Sequence, residues 1–318
     1  MRGLIRTVLG DIDPSELGRL NYHEHLFQKS PLLPGDDLDN EDASGKEAKA
    51  LRLSGFDAMV DATPLGLGRR PAAISRISET SGLSVAMTTG LHRREHYGSG
   101  HPLLDFSSDQ LAAAFVKDLT VGAIEPWAGT AEGPGDTRGS FPMAGVLKAG
   151  AGYWRIDDHT ARALDAVASA HMATGAPVMV HLENGTAAFE VLGVLERAGV
   201  SPSRVALAHM DRNPDAGLHC ELAATGAYLG YDGAARARDR PDSALIECLE
   251  KTIDGGGGDN ILLGGDVARS SRYRAYGGMP GLRYLADRFL PRVVAVIGEG
   301  CMDRILRVNG ARWLVWQN

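Results

Sequence analysis

The sequence predicts an α/β protein built as a closed (β/α)8 barrel, and three observations carry that prediction. Short strand-like apolar runs alternate with amphipathic stretches of helical period along the 318 residues. Most connections between them are short, which implies parallel strands joined by crossover helices. The runs number eight, which suits a closed barrel better than an open sheet. The length fits one domain spanning residues 1–318, and no internal repeat, linker or composition break divides it.

In chain order the strand runs are Leu20–His25, Ala58–Asp61, Val85–Gly90, Ala144–Lys148, Val178–His181, Val205–His209, Ala227–Tyr231 and Ile261–Asp266. A helix is predicted from His159 to Thr174, capped by Asp158 and closed by Gly175, with Leu164, Val167 and Ala168 on one stripe. Another runs from Thr186 to Ala198, with Ala188, Val191, Leu192 and Leu195 inward and Gly199 after it. Two connections are long: Leu91–Asp109 after the third run, and the Gly- and Pro-rich Glu125–Ser140 before the fourth. Long loops in compact domains tend to carry function. Gly255–Gly258 reads as a plain flexible turn, and Cys301–Leu314 as a last helix packed on the outside.

Composition narrows the function classes. The chain is 44% hydrophobic and 23% charged, ordinary for a globular protein with a large core. A net charge of −7 argues against nucleic acid or an anionic membrane as partner. No run approaches the ~18 apolar residues of a membrane span, and Met1–Arg6 does not read as a signal peptide. Cys220, Cys248 and Cys301 stand alone without CxxC spacing, as expected of thiols in a reducing, cytoplasmic setting.

The chemistry is carried by the polar residues that close the runs: His23 and His25, Asp61, Lys148, His181, His209 and Asp266. Barrel enzymes build their sites at the C-terminal strand ends, and chance seldom places four histidines, a lysine and two aspartates there. On a strand, His23 and His25 share a face while Glu24 points away, so the two imidazoles can grip one cation and Glu24 braces a neighbouring loop. The bland reading of each histidine is a satisfied core residue. For Lys148 it is an ordinary ion pair, with Asp266 as the candidate partner, because an unpaired lysine inside a barrel is costly. Asp61 reads as a structural hydrogen-bond acceptor. His159, His171 and His219 fall on helices and read as outer-layer residues. His92, His96 and His101 lie in the loop after the third run, on the side of the site, where contact with substrate and plain solvation are both open.

At these residues the sequence resembles the phosphotriesterase family of the amidohydrolase superfamily. The resemblance runs from Val8-Leu9-Gly10 through Tyr22-His23-Glu24-His25-Leu26 to Asn309-Gly310-Ala311-Arg312. Its most specific stretches are Ala144-Gly145-Val146-Leu147-Lys148, Thr174-Gly175-Ala176-Pro177-Val178 before His181, and Ser201-Pro202-Ser203-Arg204 before His209. It implies two divalent metal ions: His23 and His25 on the more buried one, His181 and His209 on the other. Lys148, carboxylated on its amine, would bridge them, and Asp266 would complete the set and shuttle the proton. Imidazole and carboxylate ligands favour zinc, with manganese, cobalt or iron as substitutes. Such a pair activates a bridging hydroxide for hydrolysis.

The substrate is expected to be a small molecule. The tyrosines that acyl-homoserine lactonases of this family carry after the third strand are missing from His92-Arg93-Arg94-Glu95 unless Tyr97 substitutes. The eighth loop, Asp266–Gly278, is similar to that of members acting on sugar lactones, some of them phosphorylated. Arg269 and Arg272, with Arg93 or Arg94, are expected to form a fork for a carboxylate or phosphate, and His92 to touch substrate; exposed, solvated arginines are the bland alternative. The expectation is a metal-dependent hydrolase of a lactone or carboxylic ester of a small polar molecule. A phosphotriester hydrolase is the second reading, and a non-catalytic binding protein on the same scaffold the third. The family resemblance also raises a homodimer, although no stretch of sequence marks an interface.

Overall fold

A computed structural model of the chain describes residues 3–124 and 141–317; the Gly- and Pro-rich connection expected at 125–140 lies outside the described residues. A hairpin of β1 (Ile5–Thr7) and β2 (Gly10–Ile12), absent from the expectations, precedes the barrel. The barrel strands are β3 (Leu20–Glu24), β4 (Ala58–Asp61), β5 (Ser84–Gly90), β6 (Val146–Ala151), β7 (Val178–Leu182), β8 (Val205–Ala208), β9 (Tyr228–Tyr231) and β10 (Ile261–Leu263). They pair in parallel in chain order. The two ends of the sheet meet where the Gly265 and Asp266 N–H groups donate to the His23 carbonyl at 3.3 and 2.9 Å. Eight parallel strands thus form a nearly closed barrel.

The helices α1 (Glu41–Leu53), α2 (Pro71–Ser81), α3 (Ser108–Thr120), α4 (Asp158–Thr174), α5 (Ala188–Arg197), α6 (Ala216–Ala224), α7 (Asp242–Thr252) and α8 (Leu290–Ile297) surround it. The cap of α4 is Asp157, one residue before the expected Asp158: its carboxylate accepts the Thr160 N–H. The stretch 253–260 is wound into helical turns instead of a plain loop. The tail, helical in pieces from Glu299 to Leu314, does more than pack outside. Trp313 and Leu314 join Ile5 and Leu17 in the interior cluster, and the Trp313 indole donates to the Val178 carbonyl.

Strand alternation sorts the side chains into two layers. Val60, Ala86, Val146, Met179, Ala206 and Leu262 fill the barrel interior, while Met59, Val85, Leu147, Val180 and Leu207 pack outward beneath the helices. The helix histidines belong to that buried outer layer. His159 reaches the His92 carbonyl (2.8 Å), His171 the Ala176 carbonyl (2.7 Å) and His219 the Tyr231 hydroxyl (2.6 Å).

One irregularity matters for the site. The β3–β4 register slips between Asn21 and Glu24, so β3 carries one extra residue against β4. Tyr22 and His23 therefore both reach Asp232 inside the barrel, Tyr22 through its hydroxyl and His23 through Nδ1. Gly230 leaves the space for Tyr22: a Cβ there would lie 1.9 Å from the phenolic oxygen.

Candidate active site and metal centre

The rim at the C-terminal ends of the strands carries the strain of the fold. The non-glycine residues with positive φ among those described are Trp154, Asn184, Ala187, His209, Ala235, Asp266 and Ala268. All follow strands β6 to β10, and such conformations persist where surrounding structure over-determines them. For His209 (φ 68°) and Asp266 (φ 40°) the unusual backbone ends the strand and turns the side chain toward the barrel axis.

The expected residues His23, His25, Lys148, His181, His209 and Asp266 line one cavity of about 260 Å3. Each imidazole is set by a partner on its far nitrogen. Thr63 Oγ1 donates to the Phe27 carbonyl (2.7 Å), so it must accept from His25 Nδ1 (2.7 Å), which leaves the His25 Nε2 lone pair facing the cavity. Asp232 Oδ2 accepts from His23 Nδ1 (3.0 Å) and Asp232 Oδ1 from His209 Nδ1 (2.6 Å). Glu183 Oε2 lies 3.1 Å from His181 Nε2. Burial holds the imidazoles of His25, His181 and His209 below the usual histidine range, His25 at about 4 and His209 at about 3, so these rings are neutral ligands near pH 7.

This geometry fits a metal. His23 Nε2 is buried and has no hydrogen-bond partner among the described residues. It shares its surroundings with His25 Nε2 and Asp266 Oδ1, the latter 3.5 Å from His25 Nε2 and 3.7 Å from His23 Nε2. His181 Nδ1 and His209 Nε2 face each other at 2.8 Å. With both far nitrogens donating to carboxylates, these are two lone pairs pointed together, an arrangement that a shared cation relieves. Oriented imidazoles backed by carboxylates are the usual outer support of a metal site.

Lys148 makes no ion pair with Asp266; its Nζ donates to the Ala62 carbonyl at 2.7 Å. Burial lowers its pKa to about 8, which leaves an amine able to lose its proton and react with carbon dioxide. Asp266 is instead clamped by arginines, its Oδ2 2.7 Å from Arg212 and 2.6 Å from Arg236. Burial pushes its carboxyl up, but Arg236 and His23 outweigh this and hold it well below the usual carboxylate range.

Three expectations about neighbouring residues need adjusting. Arg272 does not line the cavity: it bonds the Asp266 and Val267 carbonyls (3.5 and 3.4 Å) and props the eighth loop from behind. Arg269 does line it, but is drawn toward Asp36 (3.5 Å) at the edge. The guanidiniums against Asp266 are instead those of Arg212 and Arg236, for which the sequence carries no signal because a loop arginine gives no sign of its direction. His92 lines the cavity with its ring 4.6 Å from that of His181, and His96, its ring tilted at 3.9 Å from that of His92, lines it too. Arg93 pairs with Glu183 (2.8 Å).

Asp232 is the other residue missed. The seventh run, read as ending at Tyr231, stops one residue short of it, although an acid closing an apolar run is the same signal that singles out Asp266. Asp61 accepts the Leu26 and Thr63 N–H groups, and Glu24 accepts from Asn21 and the Val267 N–H, so both brace the loops around the site.

A model of the phosphotriesterase family matches residues 3–314. The chain belongs to the phosphotriesterase family. It is accordingly an enzyme, and a hydrolase. Among phosphotriesterase-family relatives it is 33% identical over 327 residues to the phospho-furanose lactonase of Mycoplasmopsis synoviae, covering 98% of this chain and 91% of that one. It is 28% identical over 363 residues to the N-acetyltaurine hydrolase of Danio rerio, covering 100% and 99%. The crystal structure of a lactonase from Listeria monocytogenes superposes with a TM-score of 0.89 at 29% identity, over 99% of this chain and 100% of that one.

Proposed function

We propose that this enzyme is a two-metal hydrolase that opens the lactone ring of a hydroxylated, anionic small molecule. The observation that carries the reading is the convergence of four outward-braced imidazoles, Lys148 and Asp266 on one cavity whose other charged walls are four arginines and Glu183, the last already engaged by His181 and Arg93. In the proposal His23, His25 and Asp266 would hold one divalent ion and His181 and His209 a second, with carboxylated Lys148 as a further ligand; zinc suits the donor set best. When bound, the ions would supply a water activated at neutral pH and a Lewis acid for the carbonyl.

The chain's own residues do the rest. Asp266 takes the proton that the attacking water releases and passes it to the alkoxide as the ring C–O bond breaks. Arg212 and Arg236 fix the orientation of the Asp266 carboxylate, and Arg236 with His23 keeps it ionised, the form that can receive the proton, while lowering its basicity. The same guanidiniums, with Arg269, offer a planar fork to a substrate carboxylate or phosphate. His92 walls the cavity on the side of His181 and excludes water there. A neutral triester gains little from three arginines, which sets the phosphotriester reading second. An N-acyl sulfonate amide would use them as well as a phosphorylated lactone does, and the similarity to N-acetyltaurine hydrolase favours keeping it in view.

The test is a comparison of kcat/KM for metal-loaded protein across furanose and pyranose lactones with and without phosphate, phosphotriesters and N-acyl sulfonates. Lactones, the phosphorylated ones foremost, should lead. Efficient amide or triester cleavage without lactone turnover would reject the proposal.

A further inference from the structure

Beside the catalytic cavity lies a second and larger one, and Arg212 and Arg236 line both. The catalytic cavity measures about 260 Å3, under the ~300–1,000 Å3 usual for a pocket that encloses a whole small ligand. Its neighbour measures about 510 Å3. A substrate confined to the first cavity leaves the adjoining space to water, whereas a longer one passes the arginines and fills it.

The walls of this second cleft state what would fill it. Tyr153 and Trp154, on the loop after β6, stand at its edge, each 62% exposed. Adjacent aromatic side chains left in water mark a contact surface. Trp154 is held there: its backbone is left-handed at φ 48°, and its N–H donates to Thr186 Oγ1 at 3.0 Å. Deeper in, Asp211 is buried, with Oδ2 accepting the Gly233 N–H (2.7 Å) and Oδ1 lacking a donor among the described residues. Asn184 and Asn213 each offer a donor and an acceptor beside it. Of the three guanidiniums on this wall, those of Arg212 and Arg236 are already engaged by Asp266 at 2.7 and 2.6 Å, so a second strongly anionic group gains little here. An aromatic edge over a floor of mixed donors and acceptors matches a ring with an apolar C–H face and a rim of hydroxyls.

We propose that this cleft is a distal subsite for an uncharged sugar ring, joined by a glycosidic bond to the acid whose lactone is opened next door. The proposal rests on the lactonase reading of the catalytic cavity, and it extends the substrate from a monosaccharide lactone to a disaccharide one. The glycosidic bond itself is not broken.

The experiment measures kcat/KM for a monosaccharide aldonolactone against the lactones of lactobionic, cellobionic and maltobionic acids, in wild type, Trp154→Ala and Trp154→Phe. At least one disaccharide lactone should be preferred about tenfold or more, chiefly through KM; Trp154→Ala should remove most of that preference and Trp154→Phe restore it. In parallel, saturation-transfer NMR on the metal-loaded protein with lactitol, cellobiitol and maltitol reads the subsite without any chemistry. Saturation of the glycosyl protons that Trp154→Ala abolishes, with no lactone turned over, would keep the subsite and reject the lactonase reading. Turnover of simple lactones with no disaccharide preference and no saturation would overturn the subsite and leave that reading standing.

Discussion

Asp232 sets two of the four histidines. One fully buried carboxylate takes the Nδ1 protons of His23 and His209, the His209 backbone N–H and the Tyr22 hydroxyl. Burial alone would raise its pKa, but His209 and His23 hold the carboxyl well below the usual range, so it stays anionic. Asp232→Asn keeps the shape and removes the charge that fixes both tautomers. Metal affinity should fall about 10–100-fold, as for other outer partners of ligating histidines, measured by competition with a chromophoric chelator. Unchanged affinity would remove Asp232 from this role. The arginines separate in the same way. Truncation at Arg236→Ala removes charge-assisted bonds of about 1.5–3 kcal/mol, so kcat/KM for a phosphorylated lactone should drop roughly 10–100-fold. Arg269→Ala, at the edge and shared with Asp36, should cost far less. Equal losses in the two variants would contradict the placement of the fork.

The strand ends that carry the ligands were readable because a polar residue closing an apolar run is a local signal. The bulge in β3 was not, since it is a relation between two strands. Its consequence depends on β9. Tyr22 and His23 can both reach Asp232 only while position 230 has no side chain. Gly230→Ala should therefore displace Tyr22 and destabilise the barrel by about 1–3 kcal/mol, the usual cost of overpacking, seen as a lower urea midpoint with an unchanged slope. Full stability with the Tyr22–Asp232 contact intact would show that the strands yield more readily than this packing implies. The terminal segment was likewise half legible. The sequence suggests a helix there, but only the folded barrel brings Trp313 and Leu314 into the interior cluster with Ile5 and Leu17 instead of an outer layer.

For the whole molecule, loading with metal couples the site to folding. Ions that bind only the folded chain raise its melting temperature, by an amount that grows with the logarithm of free ion concentration over Kd. In the metal-free protein His25 and His209 are neutral at every pH above about 5, so they do not limit loading between pH 6 and 8.5. Under the proposed carboxylation Lys148 does, because only its neutral amine takes up carbon dioxide. With its pKa lowered to about 8, the neutral fraction climbs from roughly 1% at pH 6 to roughly three quarters at pH 8.5. At fixed dissolved carbon dioxide, the rate at which zinc raises the melting temperature should increase with pH over this window, and Lys148→Met should abolish the dependence. A rate flat in pH, or one the variant shares with wild type, would count against a carboxylated bridge.

Local chemistry along the chain was enough to announce eight strands, the rim that would hold the chemistry and six of its side chains. A strand end is a property of consecutive residues, and both hydrophobic period and polar termination are written there. The acid that orients two histidines, the arginines that clamp Asp266 and the cleft beyond them belong to contacts between segments as much as 210 positions apart. Their direction depends on how a closed barrel brings loops β6 to β10 around one axis, and no window of sequence contains that closure.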